Sequence, residues 1–284
     1  MMTGMLRPAA PTDRSDLIAL VLAEDAAWSN GPEVSAEEAG EVIDHHPPGM
    51  VFERDRRVAG YASVGESGGT ILFAEPGDAV PALEALVAWL AERGQHEVDS
   101  YAGDAQRIAW LETNGFRHQR SSFDLERGVD PPLAPVAWPR GITVVPYTHG
   151  EDDAAVHELI YVDAAWGDVA GHSVRSLEAW RSMLAPYRGW VAHSDGCPVG
   201  WVADRVFGDG RGWVGQIAVA RSERGLGIGR ALLVHSLRDL LDEGATSLNL
   251  GVEAANEHAL GLYRSVGFEV VREWRLYVRP GVPS

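Results

Sequence analysis

A glycine-rich run constrains the fold of this chain more than any other feature of its sequence. Residues 221–230 read RSERGLGIGR, with glycine at every second position from Gly225 to Gly229, between a strand-like and a helix-like segment. Glycine adopts left-handed backbone angles that cost other residues about 1–2 kcal/mol each, so such a loop can turn several N–H groups toward one point. The start of the helix adds a partial positive charge. The run therefore predicts a binding loop for a phosphate or diphosphate.

Two common phosphate-binding loops do not fit this run. A Walker loop needs Gly-Lys followed by Ser or Thr, and all 24 basic residues of the chain are arginine. The dinucleotide-binding fingerprint needs Gly or Ala three places after its second glycine. If Gly227 is the second glycine, Arg230 stands at that place, and if Gly229 is the second glycine, Leu232 does. The run must therefore belong to a third kind of loop.

Two motifs in the second half of the chain resemble the GNAT acetyltransferase superfamily. The first is Arg224-x-x-Gly227-x-Gly229, after the strand at 216–219, and it resembles the superfamily's coenzyme A loop. The second resembles the superfamily's later signature and reads Asn256-x-x-Ala259-x-x-Leu262-Tyr263-x-x-x-Gly267-Phe268. The two motifs stand in the expected order. The resemblance is clear over 190–278 and extends in outline over 141–284.

The resemblance implies a site for acetyl-CoA as co-substrate. The diphosphate would lie on the N–H groups of 224–229, and the pantetheine arm would run along 217–219 like an added strand. Two strands that diverge after Val219 and before Val252 would admit the thioester. The cofactor-binding residues that follow from this are Ile217, Ala218, Val219, Arg224, Gly225, Leu226, Gly227, Ile228, Gly229, Arg230 and Asn256.

The resemblance also implies a catalytic acid. Tyr263 stands where the superfamily carries the tyrosine that assists the departing thiolate.

An amine with a pKa of about 10.4 must lose its proton before it attacks, which costs about 4.6 kcal/mol at pH 7. The base that takes this proton stays open, because strand 213–219 carries Gln216 and no acid. The candidates are Glu253, Asp163, Asp168, His172 and a chain of water molecules.

A proline-rich segment divides the chain into two similar halves. Residues 128–141 contain four prolines, a composition typical of a linker. Hairpins, helices and strands follow in the same order in each half, which indicates an α+β fold. With the resemblance, this predicts two tandem GNAT-like domains at 1–127 and 142–284, each a mixed, mostly antiparallel sheet flanked by helices. In the second domain we expect helices over 152–166 and 177–184.

The first copy lacks the residues that carry the resemblance. Its strand is followed by Ala74-Glu75-Pro76-Gly77-Asp78, which contains one glycine and no arginine. Asp78 would place a negative charge near the helix start, where a diphosphate would need to lie. Leu111 stands at the position of the tyrosine. We therefore expect a degenerate domain that supports the second domain or shapes its acceptor site.

Charge limits the partners of the chain. The chain carries 41 acidic and 24 basic residues, a net charge of −17, which argues against binding to nucleic acid or anionic lipid. No apolar stretch is long enough to cross a bilayer. Segment 151–200 carries eight acids and three arginines, which favours a small cationic acceptor. The alternative is that these acids only form solvated surfaces.

The chain contains one cysteine. The single cysteine, Cys197, excludes an intrachain disulfide and a cysteine-rich zinc site and fits a reducing, cytoplasmic setting, and we expect no metal. Because two fused copies can pack as an internal pseudo-dimer, we expect a monomer or a homodimer. The sequence thus predicts an N-acetyltransferase that moves an acetyl group directly from acetyl-CoA to the primary amine of a small molecule. The alternative is a sensor that binds CoA or acyl-CoA without turnover, or an interaction protein.

The degenerate first copy predicts the stoichiometry of CoA binding. Because only the second copy has the glycine-rich loop, isothermal titration should give one CoA per chain. A stoichiometry of two would show that the first copy has kept a working site.

Overall fold

The computed structural model describes residues 4–28, 34–65, 69–164, 166 and 174–280. By Cα proximity the chain divides into two compact units, residues 1–123 with 271–284, and residues 124–270. Both units combine helices with mostly antiparallel strands, as the sequence predicts. Residues 271–278, which the sequence places with the second copy, belong to the first unit by this division. None of the described helices has the length and apolarity needed to span a membrane.

In its described residues, the first unit contains four α-helices and most of seven strands. Strands β1 to β4 form a sheet in that order, and β12 pairs antiparallel with β5. The elements are β1 (Met5–Pro8), α1 (Arg14–Trp28), α2 (Ala36–Asp44), β2 (Met50–Arg54), β3 (Arg57–Val64), β4 (Thr70–Ala74), α3 (Val80–Ala91), β5 (Glu97–Tyr101), α4 (Ala105–Thr113), the first part of β6 (Arg117–Gly128) and most of β12 (Glu269–Val278).

Acidic side chains of the first unit occupy the region between β4 and α3. The buried Glu24 carboxylate accepts a hydrogen bond of 3.0 Å from the N–H of Ala74, the last residue of β4. Glu24 also forms an ion pair with the buried Arg107. Ahead of α3, Glu75 and Asp78 pair with Arg54 at 2.7 and 2.5 Å. The end of this strand is therefore bound by the unit's own carboxylate.

The described part of the second unit contains four α-helices, a π-helical segment and the remaining strands. The elements are β7 (Ile142–Pro146), α5 (Asp153–Glu158), the π-helical segment (Leu159–Asp163), α6 (Leu177–Leu184), β8 (Arg188–Ser194), β9 (Cys197–Val206), β10 (Arg211–Val219), α7 (Ile228–Asp242), β11 (Ser247–Glu253) and α8 (Glu257–Ser265). The helix expected over 177–184 is confirmed. The single α-helix expected over 152–166 is wrong, because the chain changes from α to π geometry after Glu158.

Strand β10 changes its pairing along its length. It pairs antiparallel with β9 from Gly212↔Val206 to Val219↔Gly200, with a bulge between Val214 and Gln216. Its parallel pairing with β11 ends at Val214↔Leu250. Glycine leaves room for Tyr187 inside the bulge, because a Cβ on Gly215 would lie 2.4 Å from Cε1 of Tyr187 and the tyrosine ring would have to move. The edge of β10 that faces β11 is thus open over 216–219.

Helix α7 packs its apolar face against β9 and β10. Leu232, Leu237 and Leu240 on this face are fully buried. Gly200 on β9 makes room for the helix, because a Cβ there would lie 2.8 Å from Cδ1 of Leu232. This packing holds the start of α7 beside the open edge of β10.

The packing of α7 predicts a large stability difference between two leucines. Leu232→Ala should lower the free energy of unfolding by about 2–5 kcal/mol, because it leaves a cavity against β9. The matched control, Leu226→Ala, should change it by less than about 0.5 kcal/mol, since Leu226 is 58% exposed. Urea unfolding measures both. Equal losses for the two variants would contradict this account of the packing.

Candidate functional site

A cavity of about 1200 Å³ opens in the second unit where β10 and β11 diverge. Its walls are the second half of β10, the glycine-rich loop, the end of β11 and helix α8. The predicted residues that line it are Ile217, Ala218, Val219, Arg224, Gly225, Gly227, Ile228, Gly229, Arg230, Asn256 and Tyr263. Leu226 does not line it, and its side chain is 58% exposed. The structure therefore brings both sequence motifs to one cavity.

The glycine-rich loop leaves main-chain donors free. Gly225 and Gly227 adopt φ values of +79° and +91°, the left-handed region that disfavours other residues. Gly229 already lies inside α7 and does not need this freedom. Gly227 is the N-cap of α7, and no side chain caps the helix. The N–H groups of its first turn are thus available to an anionic ligand.

Two arginines of the loop, Arg224 and Arg230, are hydrogen-bonded to the protein. Arg224 donates from Nη2 to the carbonyl oxygen of Ala164 at 2.7 Å and from Nε to that of Val219 at 3.3 Å. Arg230 donates from Nη1 to Oγ of Ser265 at 2.6 Å. These bonds fasten the loop to neighbouring elements. The guanidinium groups add positive charge near the loop, while the main chain supplies the uncommitted donors.

Tyr263 presents a protonated hydroxyl to the cavity. It lies on α8, whose N-terminus is capped by Asn256, with Oδ1 accepting from the N–H of Ala259 at 3.1 Å. The tyrosine ring is 5% exposed and packs edge-to-face on Phe268. Burial raises the pKa of Tyr263 to about 12. Within the described residues its hydroxyl has no hydrogen-bond partner, so it can donate to a ligand.

The base candidates fall at different places. Glu253, at the end of β11, is half-buried and lines the cavity. Asp163 is exposed and does not line it. Asp168 and His172 lie outside the described residues. Of the named side chains, Glu253 is therefore the one that the described structure places at the cavity. No group of His, Cys, Asp or Glu in the described ranges could hold a metal ion.

One wall of the cavity was not foreseen from the sequence. Tyr161, Trp166, Arg175 and Met183 line the cavity on the side of the π-helical segment and α6. A π-helical segment has no recognised sequence signal, although such segments are frequent at functional sites. Arginine and aromatic residues occur here where the charge of 151–200 suggested carboxylates.

The described acids of 151–200 lie away from this wall. Of those in the described residues, none lines the cavity. Asp153 is buried and bound by Tyr147 and Arg181, and Asp152 accepts a hydrogen bond from the N–H of Thr148 at 2.7 Å. The negative charge of the segment thus lies mainly on other surfaces.

Comparisons with known proteins match the same region. The family model described as Acetyltransferase (GNAT) family matches residues 155–268. A mycothiol acetyltransferase from Acidimicrobium ferrooxidans is 32% identical over 215 residues, which are 68% of this chain and 67% of that protein. Another from Thermomonospora curvata is 31% identical over 194 residues, or 65% and 64% of the two chains. For three other such relatives the matches span 52–55% of their length.

Solved structures share the fold over nearly the whole chain. A GCN5-related N-acetyltransferase from Sphaerobacter thermophilus has a TM-score of 0.77 at 24% identity, covering 99% of this chain and 98% of that one. A tandem GNAT protein from the clavulanic acid biosynthesis pathway also has a TM-score of 0.77, at 16% identity and with 99% and 100% covered. These likenesses confirm the predicted α+β fold of two tandem GNAT-like domains.

Proposed function

The chain belongs to the GNAT acetyltransferase family, and on that premise we propose that it transfers an acetyl group from acetyl-CoA to the primary amine of a small molecule. The observation that carries this proposal is the uncapped start of α7 beside the open edge of β10, at one end of the cavity. The first feature suits a diphosphate, and the second suits an extended chain with amide groups.

The donor would bind mainly through the main chain. Its diphosphate would accept hydrogen bonds from the N–H groups at 225–229, where the partial charge of the helix favours an anion. Its pantetheine amides would pair with 217–219 on the edge of β10 that β11 leaves open, in the way that a peptide adds to a sheet. Asn256 shapes the adjacent wall by fixing the start of α8.

We propose that transfer is direct, without an acyl-enzyme intermediate. Cys197 is exposed and does not line the cavity. The amine would attack the thioester carbon, and the C–S bond would break with Tyr263 donating a hydrogen bond to the sulfur. Complete proton transfer from a hydroxyl of pKa about 12 to a thiolate of pKa about 8.5 is uphill by roughly 5 kcal/mol. Tyr263 therefore stabilises the developing thiolate by hydrogen bonding while the bond breaks.

We propose Glu253 as the group that accepts the proton of the amine, directly or through water. Its position at the end of β11, in the wall of the cavity, supports this role. Gln216 occupies the strand where the resemblance leads one to look for an acid, and an amide cannot serve as a base. A glutamine at this place is also the observation that favours the alternative function, a sensor that binds CoA without turnover.

The predicted cationic character of the acceptor gains no support from the acids of 151–200, because none in the described residues lines the cavity. We therefore restrict the proposal to the amine itself. Such an amine is a cation in water and must lose its proton before it attacks.

Gly227→Asp should abolish CoA binding. An aspartate at the N-cap accepts hydrogen bonds from the first-turn N–H groups, so it competes for the diphosphate site and repels the ligand's charge. The matched control is Gly244→Asp, because Gly244 has a φ of +95°, close to the +91° of Gly227, and lies at the other end of α7. Isothermal titration should show at least about a tenfold loss of affinity for the first variant only. Equal affinities of the two folded variants would refute the site.

The pH dependence of turnover should separate acid from base. Burial raises the pKa of Tyr263 to about 12, so the acid stays protonated, and kcat/KM should rise with pH and level off without falling below about pH 10.5.

Tyr263→Phe should lower kcat about 10²- to 10⁴-fold while CoA still binds. Glu253→Gln should also lower kcat, with a loss that shrinks at high pH, where the free amine is already neutral.

Free thiol released from acetyl-CoA with a panel of amines measures this turnover. Parent-like rates for Tyr263→Phe, or an alkaline fall between pH 8 and 10, would contradict the role of the tyrosine. CoA binding without thiol release from any amine would favour the sensor.

A further inference from the structure

Gln216 presents a fixed hydrogen-bond donor to the cavity. It lies on β10 next to the bulge and lines the cavity. Its Oε1 accepts a hydrogen bond of 3.2 Å from Nε1 of Trp180, which is fully buried. An indole N–H only donates, so the amide must turn its oxygen toward Trp180 and its nitrogen away. Among the described residues Nε2 has no partner, and both of its hydrogens are available to a ligand.

Tyr161 and Arg175 add two further donors to the same cavity. The π-helical segment places Tyr161 in the wall, where its hydroxyl accepts a hydrogen bond from the backbone N–H of Arg175. Burial raises the pKa of Tyr161, so its own hydrogen remains available. Arg175 also lines the cavity. Its guanidinium makes no ion pair or hydrogen bond with the part of the chain that the structure describes.

These donors belong to one framework of contacts. Nε2 of His157 donates to the carbonyl oxygen of Arg175 at 2.8 Å. The imidazole ring of His157 lies 4.7 Å from the ring of Tyr161 and 5.8 Å from that of Trp180, centroid to centroid. Trp180 in turn holds Gln216. The donors are therefore positioned together by the packing of α5, the π-helical segment and α6 against β10.

The described residues of this wall carry a net positive charge. The carboxylates that line the cavity, among the residues that the structure describes, are on other elements: Glu223 in the glycine-rich loop, Glu253 on β11 and Glu257 on α8. In its described part, the wall offers one full positive charge, from Arg175, and two neutral donors. This set matches a single negative charge shared by two oxygens, since a guanidinium binds a carboxylate through parallel N–H groups. A phosphate carries a charge of about −1.5 to −2, so the single guanidinium would leave part of its negative charge unbalanced.

We infer that the amine acceptor of the proposed reaction carries a carboxylate, which Gln216, Tyr161 and Arg175 bind. This inference rests on the proposed function. It gives Gln216, which cannot act as a base, a role in the choice of the acceptor. Polyamines and aminoglycosides, which lack a carboxylate, should be poor acceptors. An amino acid or a related amino carboxylic acid fits the wall.

The test compares acceptors that differ only at the carboxylate. The common amino acids are assayed for thiol release from acetyl-CoA beside their C-terminal amides and the corresponding decarboxylated amines. We expect the best acid to exceed its own amide by about 10- to 100-fold in kcat/KM, the value of a charge-assisted hydrogen bond. Arg175→Gln should remove this preference, because it should raise KM for the acid by a larger factor than it changes KM for the amide.

A matched variant and a binding measurement complete the design. Arg57→Gln alters an arginine side chain that is 79% exposed in the first unit, and it should keep the preference for the acid. The increase in Tm of the CoA-saturated protein with each acid and amide gives a readout that needs no turnover. It should be larger with the acids, and Arg175→Gln should abolish the difference.

The outcomes separate this inference from the proposed function. Amides or decarboxylated amines that react as fast as the acids would overturn the carboxylate and leave the acetyltransferase intact. No thiol release from any amine would overturn the acetyltransferase. In that case the Tm shifts still decide whether this wall binds a carboxylate, and equal shifts for acids and amides would reject it.

Discussion

The divergence of β10 from β11 is the constraint on which the rest of the site depends. Pairing with β9 continues to Val219↔Gly200, so β10 stays in the sheet while its other edge is open past Val214↔Leu250. Unpaired backbone groups are costly where water is excluded, and a ligand with amide groups can satisfy them. Helix α7, packed on β9 through Leu232, brings its uncapped N-terminus to the same opening. This opening thus combines a strand edge that suits a chain of amides with a helix start that suits an anion.

Features set by local backbone chemistry could be predicted from the sequence. The left-handed angles at Gly225 and Gly227 follow from glycine spacing, and the start of α8 follows from its Asn256 cap. Features set by distant contacts could not. The bond from Arg224 to Ala164 joins residues far apart in sequence, and the orientation of Gln216 depends on Trp180. The π-helical segment has no sequence signal at all, so the wall it forms emerged only from the structure.

The two units use similar elements differently. In the second unit the strand before the long helix ends in an open edge and a glycine-rich loop. In the first unit the N–H of Ala74, at the end of the corresponding strand, is bound by Glu24, which is itself paired with Arg107. Breaking a buried ion pair of this kind strongly destabilises the protein. A ligand would therefore not readily displace Glu24 from the N–H of Ala74. This contrast supports the proposal that the first copy is degenerate and that donor binding belongs to the second.

A crystal structure determined with saturating CoA tests the central claim most directly, namely that the donor binds in the second unit through main-chain N–H groups. We expect the diphosphate within hydrogen-bond distance of the N–H groups at 225–229 and the pantetheine arm alongside 217–219, with no CoA in the first unit. Density for CoA between β4 and α3, or in the second unit with its diphosphate away from the start of α7, would contradict the claim.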